Sequence, residues 1–257
     1  MTKPLQDKLA LVTGASRGIG AATAIALAAQ GARLAVSGSN AEKLAAFCGE
    51  LGGDHVAVPA NLSDAAAVDG LVPAAVEALG GRLDILVHAI AFSNKDELTG
   101  RFVNTSRANF KQSLDISCYS LIEVARRALP LMGPGSTILT LTYGGSNRVT
   151  PFYNVMGVAK AALESETAIW AQDLADSGIT VNALLPGGAT LTGMIPEGLP
   201  DSARDGLLSP EIVVPPLLWL CSDAAAAVTG KRLDARRWMG EQPGSQRTTD
   251  TLEDVGC

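Results

Sequence analysis

Tyr153 and Lys160 stand seven positions apart in Tyr153-Asn-Val-Met156-Gly-Val-Ala-Lys160. Seven positions make two helical turns, so on a helix the two side chains share a face. A helical lysine leans back toward the N-terminus, which brings its ammonium toward the tyrosine hydroxyl. A cation there favours the phenolate and is expected to lower the phenol pKa from its reference near ~10. A tyrosine so placed can donate a proton to an oxygen that gains charge during a reaction. Thr142 and Tyr143, at the end of the apolar run that begins at Ile138, add two more hydroxyls eleven and ten residues upstream of Tyr153.

A second group lies near the N-terminus. Thr13-Gly14-Ala15-Ser16-Arg17-Gly18-Ile19-Gly20 follows a short apolar run and opens an alanine-rich helical stretch. Gly14, Gly18 and Gly20 permit a tight turn, and a helix N-terminus offers unpaired N–H groups to an anion such as a pyrophosphate. The spacing is G-x-x-x-G-x-G, and its place between a first strand and a first helix points to a dinucleotide. The same residues also spell Gly14-x-Ser16-x-Gly18, the elbow of a serine hydrolase. That reading fails on order, because the chain's two histidines, His55 and His88, lie in its first third at strand-like positions. Both are expected to be structural.

The end of the second strand reads Val36-Ser37-Gly38-Ser39-Asn40 and holds no carboxylate. An NAD-specific site usually has an Asp or Glu there, bonded to the ribose hydroxyls. Ser37, Ser39 and Asn40 can donate hydrogen bonds and Arg17 can cover the adenosine side. NADP(H) is therefore expected in preference to NAD(H).

The elements that must carry these groups follow from patterning. Lys8–Val12, Arg33–Ser37, His55–Val58, Asp84–Ala89, Thr137–Leu141 and Thr180–Leu185 are short and apolar without clean alternation, as strands covered on both faces are. Ile19–Gln30, Ala41–Leu51, Asp64–Leu79, Phe110–Met132 and Val155–Ser177 have helical periodicity. The alternation predicts an α/β fold: a Rossmann-type, doubly wound parallel sheet of about seven strands in one domain, residues 1–240. Residues 241–257 read as a polar, mobile tail. Pro186–Pro210 reads as a loop or lid after the sixth strand.

Composition narrows the function classes. The chain has 257 residues, 47% hydrophobic, with a net charge of −6. There is no basic face for nucleic acid, no apolar run of the ~20 residues that span a membrane and no secretory signal pattern. The four cysteines are too far apart for zinc-type spacing, so no metal site is expected. A cytoplasmic protein with a small-molecule substrate fits these features.

These motifs together resemble the short-chain dehydrogenases/reductases over about residues 8–235. Threonine-glycine at 13–14, Arg17-Gly18-Ile19-Gly20, the Tyr/Lys pair and Val181-Asn182-Ala183 followed by Pro186-Gly187 all fit. The cofactor loop is similar to that of the family's classical branch. The middle of the chain departs from that branch: six residues, not three, separate Tyr153 from Lys160, and His88-Ala89-Ile90-Ala91 replaces its Asn-Asn-Ala-Gly. Here the chain resembles the enoyl-acyl-carrier-protein reductases, with two tyrosines ten apart, a lysine seven beyond the second, and Met156 as a pocket residue. Near Leu233-Asp234-Ala235-Arg236-Arg237 the paired glycines of both groups are replaced by arginines.

The resemblance implies Tyr153, Lys160, Tyr143 and Thr142 as the catalytic set. It implies Phe92, Tyr143, Tyr153 and Met156 around the substrate. Cofactor contacts are expected from Gly14, Ser16, Arg17, Gly18, Ile19, Gly20, Ser37, Ser39 and Asn40. Further along the chain they are expected from Asn61, Leu62, Ala89, Ile90, Ala91, Lys160, Pro186, Gly187 and Thr190. It also implies a homo-oligomer, a tetramer or dimer. The expected reaction is NADPH-dependent reduction of a conjugated C=C, as in an enoyl thioester. Carbonyl reduction or alcohol oxidation by the same residues is the alternative, and a cofactor-binding scaffold without turnover is the alternative of another class.

Overall fold

The computed structural model describes residues 3–195, 204–238 and 252–254, the last three as backbone only. Seven parallel strands form one sheet: β1 (Leu9–Thr13), β2 (Arg33–Ser37), β3 (Val56–Ala57), β4 (Ile85–His88), β5 (Thr137–Leu141), β6 (Thr180–Leu185) and β7 (Lys231–Asp234). An eighth, β8 (Leu252–Asp254), adds antiparallel to β7, giving the order 3-2-1-4-5-6-7-8. The helices are α1 (Gly18–Ala29), α2 (Ala41–Leu51), α3 (Ala65–Leu79), α4 (Arg107–Leu114), α5 (Ser120–Ala128), α6 (Asn154–Asp173) and α7 (Val214–Leu220).

Successive side chains of a strand face opposite sides of the sheet. In β1, Ala10 and Val12 pack into one core, with Leu27 of α1, Leu44 of α2 and Leu217 of α7. Leu9 and Leu11 pack into the other, with Leu71 of α3, Val124 of α5 and Leu163 of α6. Burial on both faces explains why the strand sequences are apolar throughout. The strand order reverses between β1 and β4, and the carboxyl ends of the strands at such a point are where a sheet of this kind has the crevice that takes its ligand.

Three elements differ from expectation. The helix expected over Phe110–Met132 is interrupted by a π turn, Asp115–Tyr119, and ends in a 3₁₀ turn, Leu129–Leu131. Ser120 Oγ donates back to the Ile116 carbonyl at 2.7 Å, a bond that competes with the regular ladder. Pro130 ends the helical run because it has no N–H to continue it. Strand β7 was not among the apolar runs because it begins Lys231-Arg232; its Arg232 is buried all the same, by ion pairing. Of the segment read as a tail, β8 is described and pairs with β7, and the rest lies outside the described residues, as do residues 196–203 of the expected lid. No described helix is long and apolar enough to cross a membrane, and among the described residues no cluster of His, Cys, Asp and Glu is placed to hold a metal ion.

Candidate active site

The glycine turn sits at the mouth of the crevice. Gly14 has φ +70°, and a Cβ there would stand 2.4 Å from the Ala89 carbonyl oxygen, so only glycine lets the turn meet the segment after β4. Ala89 N donates to the Thr13 carbonyl at 3.2 Å and closes the same contact. Arg17 is the N-cap of α1, makes no side-chain cap, and no acid stands in the first turn. The first N–H groups of a twelve-residue helix therefore have no side-chain acceptor, which suits a pyrophosphate. A dinucleotide fits this turn.

The adenosine side differs from expectation. The side chain of Arg17 packs against Gly193, where a Cβ would stand 2.7 Å from the guanidinium carbon. Its charge thus goes to the segment after β6, not to the end of β2. Ser37 is buried, with its carbonyl accepting from Ala15 N at 2.9 Å. Asn40 caps α2, accepting from Lys43 N at 2.8 Å. Asn61 accepts from Ser63 Oγ at 3.0 Å within its own turn, while Leu62 and Ile19 pack against the two cores. Ser39 remains exposed and Ser16 stands beside Gly38.

At the ends of β4 to β6 the side chains converge. Tyr143 leaves β5 and Tyr153 caps α6, and their rings meet at 4.8 Å between centroids with a 53° tilt. A Cβ at Gly145 would stand 2.5 Å from Tyr153 Cδ1, so this position must be glycine for the ring to lie against the turn. Phe152 and Asn154, on either side of Tyr153, have φ of +59° and +25°. Two non-glycine residues in this region signal local strain, which concentrates at functional sites. Met156 is fully buried beside Tyr153, Leu98, Leu114 and Met194. Ser117, turned inward by the π segment, bonds both main-chain atoms of Phe92. Ala91 and the Phe92 ring are exposed. Pro186 and Thr190, both buried, and half-buried Gly187 (φ +82°) line the start of the segment after β6, where Thr190 donates to the Gly188 carbonyl at 3.0 Å.

Lys160 is buried, and its Nζ donates to the carbonyls of Leu141 at 2.6 Å and Ile90 at 3.3 Å. Burial lowers its pKa to about 8, against the opposing pull of Cys118 and Glu164. The expected effect on Tyr153 is reversed. Its phenol is pushed up, first by burial, then by Tyr143 and Glu164, and Lys160 is not among the groups that shift it. The lysine bonds backbone carbonyls, and desolvation of the phenolate outweighs any distant cation. Tyr153 is therefore a protonated hydrogen-bond donor.

Two further groups support this centre. His88 is fully buried between Thr13 Oγ1 and Ser120 Oγ, each 3.1 Å from a ring nitrogen. The single Ser120 proton goes to Ile116, so Ser120 accepts from His88 Nε2–H and Thr13 donates to Nδ1. Burial, then Lys160, lowers the His88 pKa to about 3, so the ring is neutral. His55, the other histidine, accepts from Leu34 N at 3.2 Å. Glu164 was not anticipated. It lies buried on α6 and accepts from Thr142 Oγ1, from Ser146 Oγ at 2.7 Å and from Arg232 Nε at 3.1 Å. The arginine pair that replaces the glycines beyond β7 forms a short turn. Asp234 Oδ1 accepts from Arg236 N at 3.0 Å and caps a 3₁₀ turn, Ala235–Arg237, packed on Gly187.

Comparison with known proteins agrees with this geometry. Residues 14–235 match the model of the enoyl-(acyl carrier protein) reductase family. Enoyl-[acyl-carrier-protein] reductase [NADH] 2 of Rhizobium meliloti is 41% identical over 88% of this chain and 89% of its own length. Enoyl-[acyl-carrier-protein] reductase [NADH] 1 of the same organism is 40% identical over 84% and 83%. The crystal structure of the enoyl-(acyl-carrier-protein) reductase of Anaplasma phagocytophilum in complex with NAD superposes with a TM-score of 0.83 at 35% identity, covering 91% and 94% of the two chains. Both relatives are named for NADH, which overturns the expected preference for NADP(H), and Arg17, expected over the adenosine side, packs against Gly193 instead.

Proposed function

The chain belongs to the enoyl-(acyl carrier protein) reductase family of the short-chain dehydrogenases/reductases and is an NAD(P)-dependent oxidoreductase; from that premise we propose that it uses NADH to reduce the conjugated C=C of an enoyl thioester. The observation that supports this reading best is the Tyr143–Tyr153 ring pair, which offers two packed aromatic rings and a hydroxyl donor beside buried Met156. A plain carbonyl reductase has no use for the second ring.

NADH, when bound, supplies the hydride, which adds to the β-carbon. Negative charge then moves to the thioester oxygen, and the protonated Tyr153 hydroxyl donates a hydrogen bond to it. A positioned donor of this kind stabilises the charge only as it develops. Lys160 spends two N–H groups on the Leu141 and Ile90 carbonyls. It keeps a third for the ribose, since an ammonium has three donors. Thr142 shapes the end of β5 from beneath, through Glu164. The α-carbon takes a proton to complete the saturated thioester.

Steady-state assays of NADH loss with a trans-2-enoyl thioester and with a plain ketone test the proposal. The enoyl substrate should be turned over, and Tyr153→Phe should lower kcat by about 10²-fold, the usual cost of one lost oxyanion donor. NADH affinity, read by titration, should persist in that variant. Turnover of the ketone alone, or a phenylalanine variant as fast as the parent, would overturn it.

A further inference from the structure

The buried carboxylate of Glu164 takes no part in the hydride or proton chemistry, yet it organises the segment that carries Tyr143. It accepts from Thr142 Oγ1 on one side of Tyr143 and from Ser146 Oγ, at 2.7 Å, on the other. Its third donor is Arg232 Nε of β7 at 3.1 Å, and both members of that ion pair are more than nine-tenths buried. Residues 142–146 are also held by Thr142 N, which donates to Leu184 O at 2.9 Å, by Ser146 N, which donates to Tyr143 O at 3.0 Å, and by close packing of Gly145 on Gly157 of α6. The Tyr153 ring lies against Gly145 in the same segment.

A buried ion pair is a costly way to fill this space. Apolar residues of the same volume are often neutral or better for stability. What the pair supplies is a fixed acceptor with several lone pairs, which a carboxylate provides and an aliphatic group does not.

We propose that Glu164 and Arg232 are positioning residues that hold the segment 142–146, and with it the Tyr143 ring, against Tyr153 in the geometry the enoyl substrate needs. Glu164 touches neither substrate nor cofactor; it acts through Thr142 and Ser146, and Arg232 keeps it oriented. The link to the reaction rests on the reading of Tyr143 and Tyr153 as the substrate-facing pair.

The test uses two double variants and a readout that needs no turnover. The chain's three tyrosines, Tyr119, Tyr143 and Tyr153, are replaced by 3-fluorotyrosine and followed by fluorine NMR. In Glu164→Leu/Arg232→Met both charges go and the fold is kept by apolar packing. Melting temperature should stay near the parent's, while the Tyr143 resonance moves or broadens and that of exposed Tyr119 does not. On the enoyl thioester kcat/KM should fall about tenfold or more, as misplacement of a positioned group commonly costs, with NADH affinity unchanged. In Glu164→Gln/Arg232→Met the amide oxygen still accepts from Thr142 and Ser146. That variant should recover most of both signals.

A Tyr143 resonance unmoved in the leucine variant overturns the proposal, whatever turnover does. A moved resonance with unchanged kcat/KM overturns the link to the reaction. Equal loss in the glutamine and leucine variants overturns the acceptor role. If the leucine variant does not fold, Ser146→Ala decides, because it removes one leg of the clamp, and an unmoved Tyr143 resonance there overturns the proposal. If the parent shows no enoyl reduction, the fluorine result still stands, so failure of the function and failure of the clamp are told apart.

Discussion

A buried lysine and a buried phenol move in opposite directions when water is removed, because burial disfavours whichever form is charged. Lys160 falls to about 8 and Tyr153 rises. The pH dependence follows from these signs. At neutral pH both groups are protonated. Raising the pH through about 8 removes the Lys160 proton, while the phenol keeps its own. A profile of kcat/KM, which reports ionisations of the free enzyme, should therefore show a basic limb near pH 8 that disappears in Lys160→Arg, since a guanidinium stays charged throughout. A profile flat to about pH 10, near the reference pKa of lysine, would contradict the assignment. Tyr143, Tyr153, Met156 and Lys160 were visible as a spaced set in the sequence. The sign of the phenol shift was not, because spacing says nothing of desolvation. Glu164 was also hidden: a carboxylate on a helix reads as solvated, and its partner Arg232 lies 68 residues away.

At the scale of elements, His88 ties three of them together. Its ring joins β1 through Thr13, β4 through its own backbone and α5 through Ser120. The folded pKa is about 3, against 6.5 for a free histidine. Above pH 6.5 the ring is neutral in both states and contributes no slope. As pH falls from 6.5 toward 3 the unfolded chain binds a proton that the folded chain refuses, so stability is lost. One such proton gives a slope of about 1.4 kcal/mol per pH unit. Denaturant melts at several pH values should show a shallower acid loss in His88→Gln, which has no ring to protonate, and identical slopes in the two proteins would contradict this account. Strands β1, β2, β5 and β6 were legible because burial on both faces makes them continuous apolar runs. Strand β7 was not, because a paired arginine breaks its apolar pattern. The π turn was not, because periodicity over 110–132 averages across one inserted residue.

The sheet as a whole was legible from the order of its elements, since a parallel strand needs a crossover helix and the crossovers allow few topologies. The crevice position follows from that topology, and so does the meeting of the glycine turn with the segment that holds Ala89. The choice of nicotinamide cofactor did not follow. Arg17, the side chain expected to cover the adenosine side, turns instead to Gly193, a contact between residues 176 positions apart whose partner segment has no sequence signature. The central claim is that this crevice delivers hydride to the β-carbon of an enoyl thioester from NADH. Incubation with a trans-2-enoyl thioester and NADH carrying deuterium at the transferred position, followed by mass and NMR analysis of the product, tests it most directly. The account predicts a saturated thioester with a single deuterium on the β-carbon, formed faster than with NADPH. An allylic alcohol, an aldehyde or an unlabelled product would contradict it.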